Sequence, residues 1–214
     1  MSNVLGSTSG WGMMKKYFVW ILLVMIWLPS YAHAEQPIDV LKKVFDQGLT
    51  ILNNPKYKNS SQKEAQRQEL WQILEQVFDF SEFSRLVLSR NWRNFTPAQR
   101  KEFIRVFSEF LDKFYLSKLQ SKYNNEKVNL IDQKMLTDTR AVVQAQVLWQ
   151  NQEVPVDIKM LKVGDTWKAY DVSVAGVSAV QNYRSQFEDL LRTETPGQVI
   201  DLLKEKTAHL KSES

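Results

Sequence analysis

From Thr166 to Phe187 the chain reads TWKAYDVSVAGVSAVQNYRSQF, and its hydrophobic period changes halfway. Up to Val174 it alternates. Tyr170, Val172 and Val174 fall on one side with Lys168 at the end, and Asp171 and Ser173 fall on the other. A period of two describes a strand with one buried face. After Gly176 the apolar residues Val177, Val180, Phe187, Leu190 and Leu191 recur at helical spacing. Any fold that accepts this segment must pass from strand to helix through a tight Ala175–Gly176 corner, where glycine supplies backbone freedom.

Upstream, the alternation extends back to Lys127. Val128 and Leu130 open a first strand, and Ala141, Val143, Ala145, Val147 and Trp149 share one face of the second. Gln150-Asn151-Gln152 turns the chain. Val154, Val156, Ile158 and Met160 face one way in the third strand, and Gly164-Asp165 makes the next hairpin. Four strands joined by short turns give an antiparallel meander with one apolar face.

Before Lys127 the period is helical. Ile38, Leu41, Val44, Phe45, Leu49 and Leu52 mark a helix over 37–53, stopped at Asn54-Pro55. A second starts near Ser60 or Ser61 and carries Leu70, Ile73, Leu74, Val77 and Phe78. A short third spans Ser81 to Ser89. Thr96-Pro97-Ala98-Gln99 predicts a capping box with proline at the first helical position. In the helix that follows, Phe103, Phe107, Phe110 and Phe114 form one stripe, broadened by Ile104, Val106, Leu111 and Tyr115. So wide an arc must be covered on two sides. It reads as a central core helix; the alternative sets part of this aromatic wall against a ligand cavity. A C-terminal helix over 177–192 and a short one at Val199–Leu203 follow, then a polar tail, 206–214. Helices, a meander and helices again make an α+β domain over 35–205. The apolar sheet face is expected to be covered by the phenylalanine helix and the C-terminal helix.

Composition restricts the chemistry. The chain is 43% hydrophobic and 24% charged, an ordinary globular balance. Its formal charge of +4 falls to +2 when Lys15 and Lys16 are set aside. That balance lacks the concentrated basic stripe of a nucleic-acid binder; a few rim lysines near anionic lipid stay compatible with it. Cysteine is absent, and the two histidines are His33 and His209. A Ser-His-Asp triad or a zinc site therefore has little to draw on. The acids around the sheet (Asp132, Asp138, Asp157, Asp165 and Asp171) show no paired spacing for acid–base work. Asp171, beside a buried strand, reads as a rim or turn hydrogen-bonder; the alternative is an acid in a cleft. No glycine-rich phosphate loop and no redox cofactor site is visible.

The N-terminus carries an address. Lys15-Lys16, the apolar run Tyr17–Leu28 and Ala32-His33-Ala34 have the order of a cleavable secretory signal, with cleavage expected after Ala34. The run is short of the ~20 residues a membrane-spanning helix needs. Residues 1–12 read as an upstream extension, with Met13 or Met14 as alternative starts.

Several motifs taken together resemble the MlaC family of periplasmic phospholipid-binding proteins, also called the toluene-tolerance auxiliary component of an ABC transport system. They are Tyr170-Asp171-Val172, Gly176-Val177-Ser178 and Tyr183-Arg184-Ser185-Gln186-Phe187, with Asp79-Phe80, Phe83-Ser84, Trp92, Thr96-Pro97-Ala98-Gln99-Arg100 and Phe103 upstream. One departure is Ser89, where the family tends to have glycine. The resemblance implies an NTF2-like cone with a lipid-tail cavity between a curved sheet and helices. It implies a carrier of glycerophospholipid and no enzyme. It also implies two partners, an outer-membrane lipoprotein–porin complex and an inner-membrane ABC transporter with MCE-domain subunits, and a role in outer-membrane lipid asymmetry. No cofactor and no nucleic acid is implied. On this reading Phe107, Phe110, Val147, Ile158, Tyr170 and Val172 line or adjoin the cavity, and Val177 stands at its edge. Tyr183 and Arg184 are candidates for the headgroup or for packing. The competing classes are an enzyme on a similar cone, which would need an acid–base group in the cavity, and a chaperone that binds apolar protein segments.

Overall fold

A computed structural model describes residues 35–149 and 152–212. The signal-peptide expectation and the turn residues Gln150 and Asn151 lie outside the described residues. Five helices come first: α1 (Pro37–Leu52), α2 (Lys63–Val77), α3 (Phe80–Leu88), α4 (Pro97–Leu111) and α5 (Ser117–Lys122). The sheet follows as β1 (Val128–Thr137), β2 (Arg140–Trp149), β3 (Gln152–Val163), β4 (Thr166–Val174) and β5 (Val177–Ser178). Helices α6 (Ala179–Leu190) and α7 (Pro196–Ser212) complete the α+β fold. No helix among the described residues is long and apolar enough to cross a membrane.

Local chemistry sets the helix starts. Thr96 Oγ1 accepts from the Gln99 N–H and Gln99 Oε1 accepts from the Thr96 N–H, so the capping box of α4 is complete. Asp79 Oδ1 caps α3 by accepting from the Glu82 N–H at 2.8 Å. Before α2, Asn59 caps a short 3₁₀ turn, and the helix proper starts at Lys63 rather than at Ser60 or Ser61. Between α4 and α5 the chain makes one π-helical turn, Asp112–Leu116. The expected polar tail from Lys206 is instead the last part of α7. Thr207 is buried there and donates to the Leu203 carbonyl at 2.8 Å.

The strands pair in chain order, β1-β2-β3-β4-β5, all antiparallel. Two features correct the sequence reading of β4. The register shifts between Lys159/Asp171 and Met160/Ala169, which leaves Tyr170 as an inserted bulge residue. A bulge moves the residues beyond it to the other face. Trp167 and Ala169 therefore share the core side with Val172, and Tyr170 leaves it for the Arg140 side chain, whose guanidinium lies 5.3 Å from the ring centre. The second correction is at the corner. Ala175 (φ 49) and Gly176 (φ 82) both have positive φ, the geometry of a two-residue hairpin turn. The chain thus doubles back as β5, with Val174 opposite Val177 and Ser173 opposite Ser178, and α6 starts only at Ala179.

The core has two parts. Leu41 and Val77, from α1 and α2, cover Ala141, Val143, Ile158 and Met160 on the sheet. The cover of the sheet thus comes from the N-terminal helices. The phenylalanine helix packs elsewhere, where Phe103, Val106 and Phe107 of α4 meet α3, α6 and α7. It reaches Phe187 and Tyr183 edge-on, with Phe107–Phe187 at 5.2 Å and Phe107–Tyr183 at 5.1 Å. Phe78, in the break between α2 and α3, packs against both parts. It also forms a parallel bridge to Ala169, and the Asp79 N–H donates to the Ala169 carbonyl at 2.7 Å.

Candidate functional site

The two cores do not close on one another completely. Between them lies a cavity of about 490 Å³. Leu74 and Phe78 at the end of α2 and Phe80 and Phe83 of α3 form one wall. Leu111, Tyr115 and Leu116 come from the end of α4 and the π-helical turn. Val172, Val174 and Val177 come from the β4–β5 hairpin, and Asn182 and Tyr183 from α6. Three apolar lining residues are also exposed, Val177 at 64%, Val174 at 49% and Tyr115 at 48%, as is the polar Asn182. A side chain that both lines a cavity and meets solvent marks its mouth, so the mouth lies between the hairpin and the π-helical turn.

Local structure builds this shape. The bulge at Tyr170 brings Val172 onto the core side of β4. The hairpin turn carries Val177 back beside Val174. Asp171, 2% exposed, pins the corner from behind. One of its carboxylate oxygens accepts from Lys159 Nζ at 2.9 Å and Ser178 Oγ at 2.7 Å, and the other accepts from the Val180 N–H at 3.0 Å. Asp171 is thus taken up by hydrogen bonds within the fold. Arg184 is also a packing residue, donating to the Leu86 carbonyl at 2.9 and 3.1 Å and tying α6 to α3.

The polar content of the lining is small. The Tyr115 and Tyr183 hydroxyls lie 3.0 Å apart, with Ser178 and Asn182 nearby. Burial, and then the bond to Tyr115, pushes the Tyr183 phenol well above the ordinary tyrosine range. The lining contains no carboxylate and no histidine. No group of three or more His, Cys, Asp or Glu among the described residues is placed to hold a metal ion.

Of the seven residues singled out in the sequence, Val172 and Val177 line the cavity. Phe107 is fully buried one layer behind it, stacked on the lining ring of Phe83 at 5.6 Å. Phe110 stacks on Phe107 in turn, at 6.4 Å. Ile158 pairs with Val172 but belongs to the sheet core. Val147 pairs with Val128 and Val154, outside the lining. Tyr170 is turned away by the bulge. Leu74, Phe78, Phe80, Phe83 and Tyr115 were not singled out. The Phe78-Asp79-Phe80 pair across a helix break was the available signal, since aromatics on both sides of a break can face one space.

An antiparallel sheet and helical layers around an apolar cavity define an α+β cavity protein. The chain belongs to the MlaC family, whose model matches residues 42–205. The toluene tolerance protein ttg2D of Pseudomonas putida is 29% identical over 161 residues, 74% of each chain. The phospholipid-binding protein from Ralstonia solanacearum, solved in complex with a phospholipid, matches with a TM-score of 0.67 at 24% identity. That match covers 80% of this chain and 97% of the other, and it is a likeness of fold.

Proposed function

We propose that this protein is a periplasmic phospholipid carrier. The observation that carries the proposal is the apolar cavity with a mouth bounded by Val174, Val177 and Tyr115. Its volume of about 490 Å³ is in the range of ligand sites generally. Acyl tails need such a place. Transfer to water costs about 0.8 kcal/mol per methylene, or roughly 12 kcal/mol for a chain of ~15. A dry apolar lining offsets most of that without any chemistry. The family, and the relative solved with a phospholipid, support the same ligand class.

On this reading residues 1–34 are removed on export, and the mature chain moves lipid between an outer-membrane lipoprotein–porin complex and an inner-membrane MCE-domain ABC transporter. The effect is upkeep of outer-membrane lipid asymmetry. Release requires a partner that offers the tails another apolar site. Native mass spectrometry of the protein purified from cells tests the ligand. Bound phospholipid is expected. A bound peptide, or protein with an empty cavity in every preparation, overturns the reading.

A further inference from the structure

The π-helical turn that walls the cavity has a second side. There, with α2 and the end of α7, it borders a groove of about 700 Å³. Five cations line this groove, Lys63, Arg67, Lys113, Lys118 and Lys211, against one acid, Glu64. Some are committed internally. Arg67 is buried between Asp112 and Glu64, Lys113 lies 3.7 Å from Glu64, and Lys211 pairs with Glu109 at 2.6 Å. Lys63 and Lys118 are exposed and have no carboxylate partner among the described residues.

Groove and cavity mouth are close. The Lys118 ammonium stands 3.6 Å from the centre of the Phe114 ring, and Phe114 packs edge-on against Tyr115 at 5.0 Å. Tyr115 is at the mouth. One turn along α5, Leu119 is exposed beside Tyr115, and Lys122 beside Lys118. The same stretch therefore offers apolar side chains around a mouth and, beside them, lysines with no carboxylate partner among the described residues. A lipid–water interface presents the complement, acyl chains under anionic headgroups.

We infer that this surface, Lys63 and Lys118 with Tyr115 and Leu119, docks the protein on an anionic phospholipid bilayer with the cavity mouth toward the acyl chains. The inference rests on the carrier reading for its purpose. A tail that leaves the mouth then passes into the bilayer without crossing open water. An acidic protein surface would satisfy the ammonium groups and leave the apolar rim unexplained.

The mature chain, loaded with a fluorescent phospholipid, is mixed with vesicles of phosphatidylcholine alone or of phosphatidylcholine and phosphatidylglycerol in equal parts. Transfer is expected to be faster to the anionic vesicles at low salt, and the gain to collapse at high salt. Each rim lysine is worth about fivefold in surface affinity, so Lys63→Glu/Lys118→Glu should remove roughly tenfold or more of the gain. Lys127→Glu/Lys134→Glu, at the β1 edge of the sheet, makes the same change in net charge and should keep it. Equal transfer to both vesicles overturns the inference and leaves an acidic protein as the occupant of the groove. Equal loss in both variants overturns it too. Co-sedimentation of lipid-free protein separates the two readings. Protein that binds anionic vesicles but never carries lipid keeps the surface and sinks the carrier; protein that carries lipid without phosphatidylglycerol dependence does the reverse.

Discussion

The phenol oxygens of Tyr115 and Tyr183 lie 3.0 Å apart, joining the π-helical turn to α6 across the apolar cavity. The two rings are held differently. Tyr183 is 7% exposed and packed on Phe107, whereas Tyr115 is half exposed at the mouth. The bond therefore fixes the looser residue to the firmer one.

Tyr183→Phe keeps the ring and removes the tie. A loss of about 1 kcal/mol is expected in urea unfolding, the net worth of an ordinary hydrogen bond. Lipid should still bind but exchange faster, because Tyr115 is released at the mouth. Unchanged exchange would show that the tie does not hold the mouth. The pH dependence has a definite sign. The fold favours the neutral phenol of Tyr183, so this stabilisation is complete below the usual tyrosine value of about 10 and is lost as pH rises beyond it. Tyr183→Phe should shallow the alkaline loss of stability.

Asp171 gives a second prediction. Its carboxylate serves three donors from β3, β5 and α6. In Asp171→Ala the Val180 N–H and Ser178 Oγ lose a buried acceptor, while the partly exposed Lys159 turns to water. The expected cost is about 2–3 kcal/mol, with Asp171→Asn milder. A loss under ~1 kcal/mol for the alanine variant would mean that the corner does not depend on this carboxylate.

These residues also show what was legible in the sequence. The α4 capping box and the strand alternation of Ala141–Val143–Ala145 and Val154–Met160 are local patterns, and the fold follows them. The bulge at Tyr170 is not a local pattern. Trp167 and Ala169 before it, Tyr170 itself and Val172 after it are all apolar, so two alternations compete, and packing decides between them. Which helices cover the sheet is equally hidden. The stripe on α1 and the stripe on α4 both ask for an apolar partner, and neither names it. Cavity wall and core share a composition: Phe83 lines the space and Phe107, stacked on it, does not.

Ser89 ends α3 at φ 49 and ψ −121, a region that strongly favours glycine. The side chain makes this backbone costly by ~1–3 kcal/mol, and glycine gives back part of the gain through its freer unfolded chain. Ser89→Gly should therefore stabilise the protein by about 1 kcal/mol, or roughly 2–4 °C in Tm. Calorimetry measures it. A lower Tm would mean that the serine side chain makes a compensating contact.

Val177 offers a test of whether the cavity holds lipid. It lines the cavity and is 64% exposed, held in β5 opposite Val174. A carboxylate at an exposed strand position is reached by water, so Val177→Glu should fold, with stability within about 0.5 kcal/mol of the parent. With lipid in place the same carboxylate would meet acyl chain at the mouth, and an unpaired charge facing hydrocarbon is strongly disfavoured. The variant should therefore lose most of its bound phospholipid, and Val177→Ala, which changes no charge, should keep it. Circular dichroism melting and lipid extraction on one preparation read both quantities. Unfolding would place Val177 in the core, against its exposure. A folded Val177→Glu protein with its normal lipid would remove this mouth from the binding site.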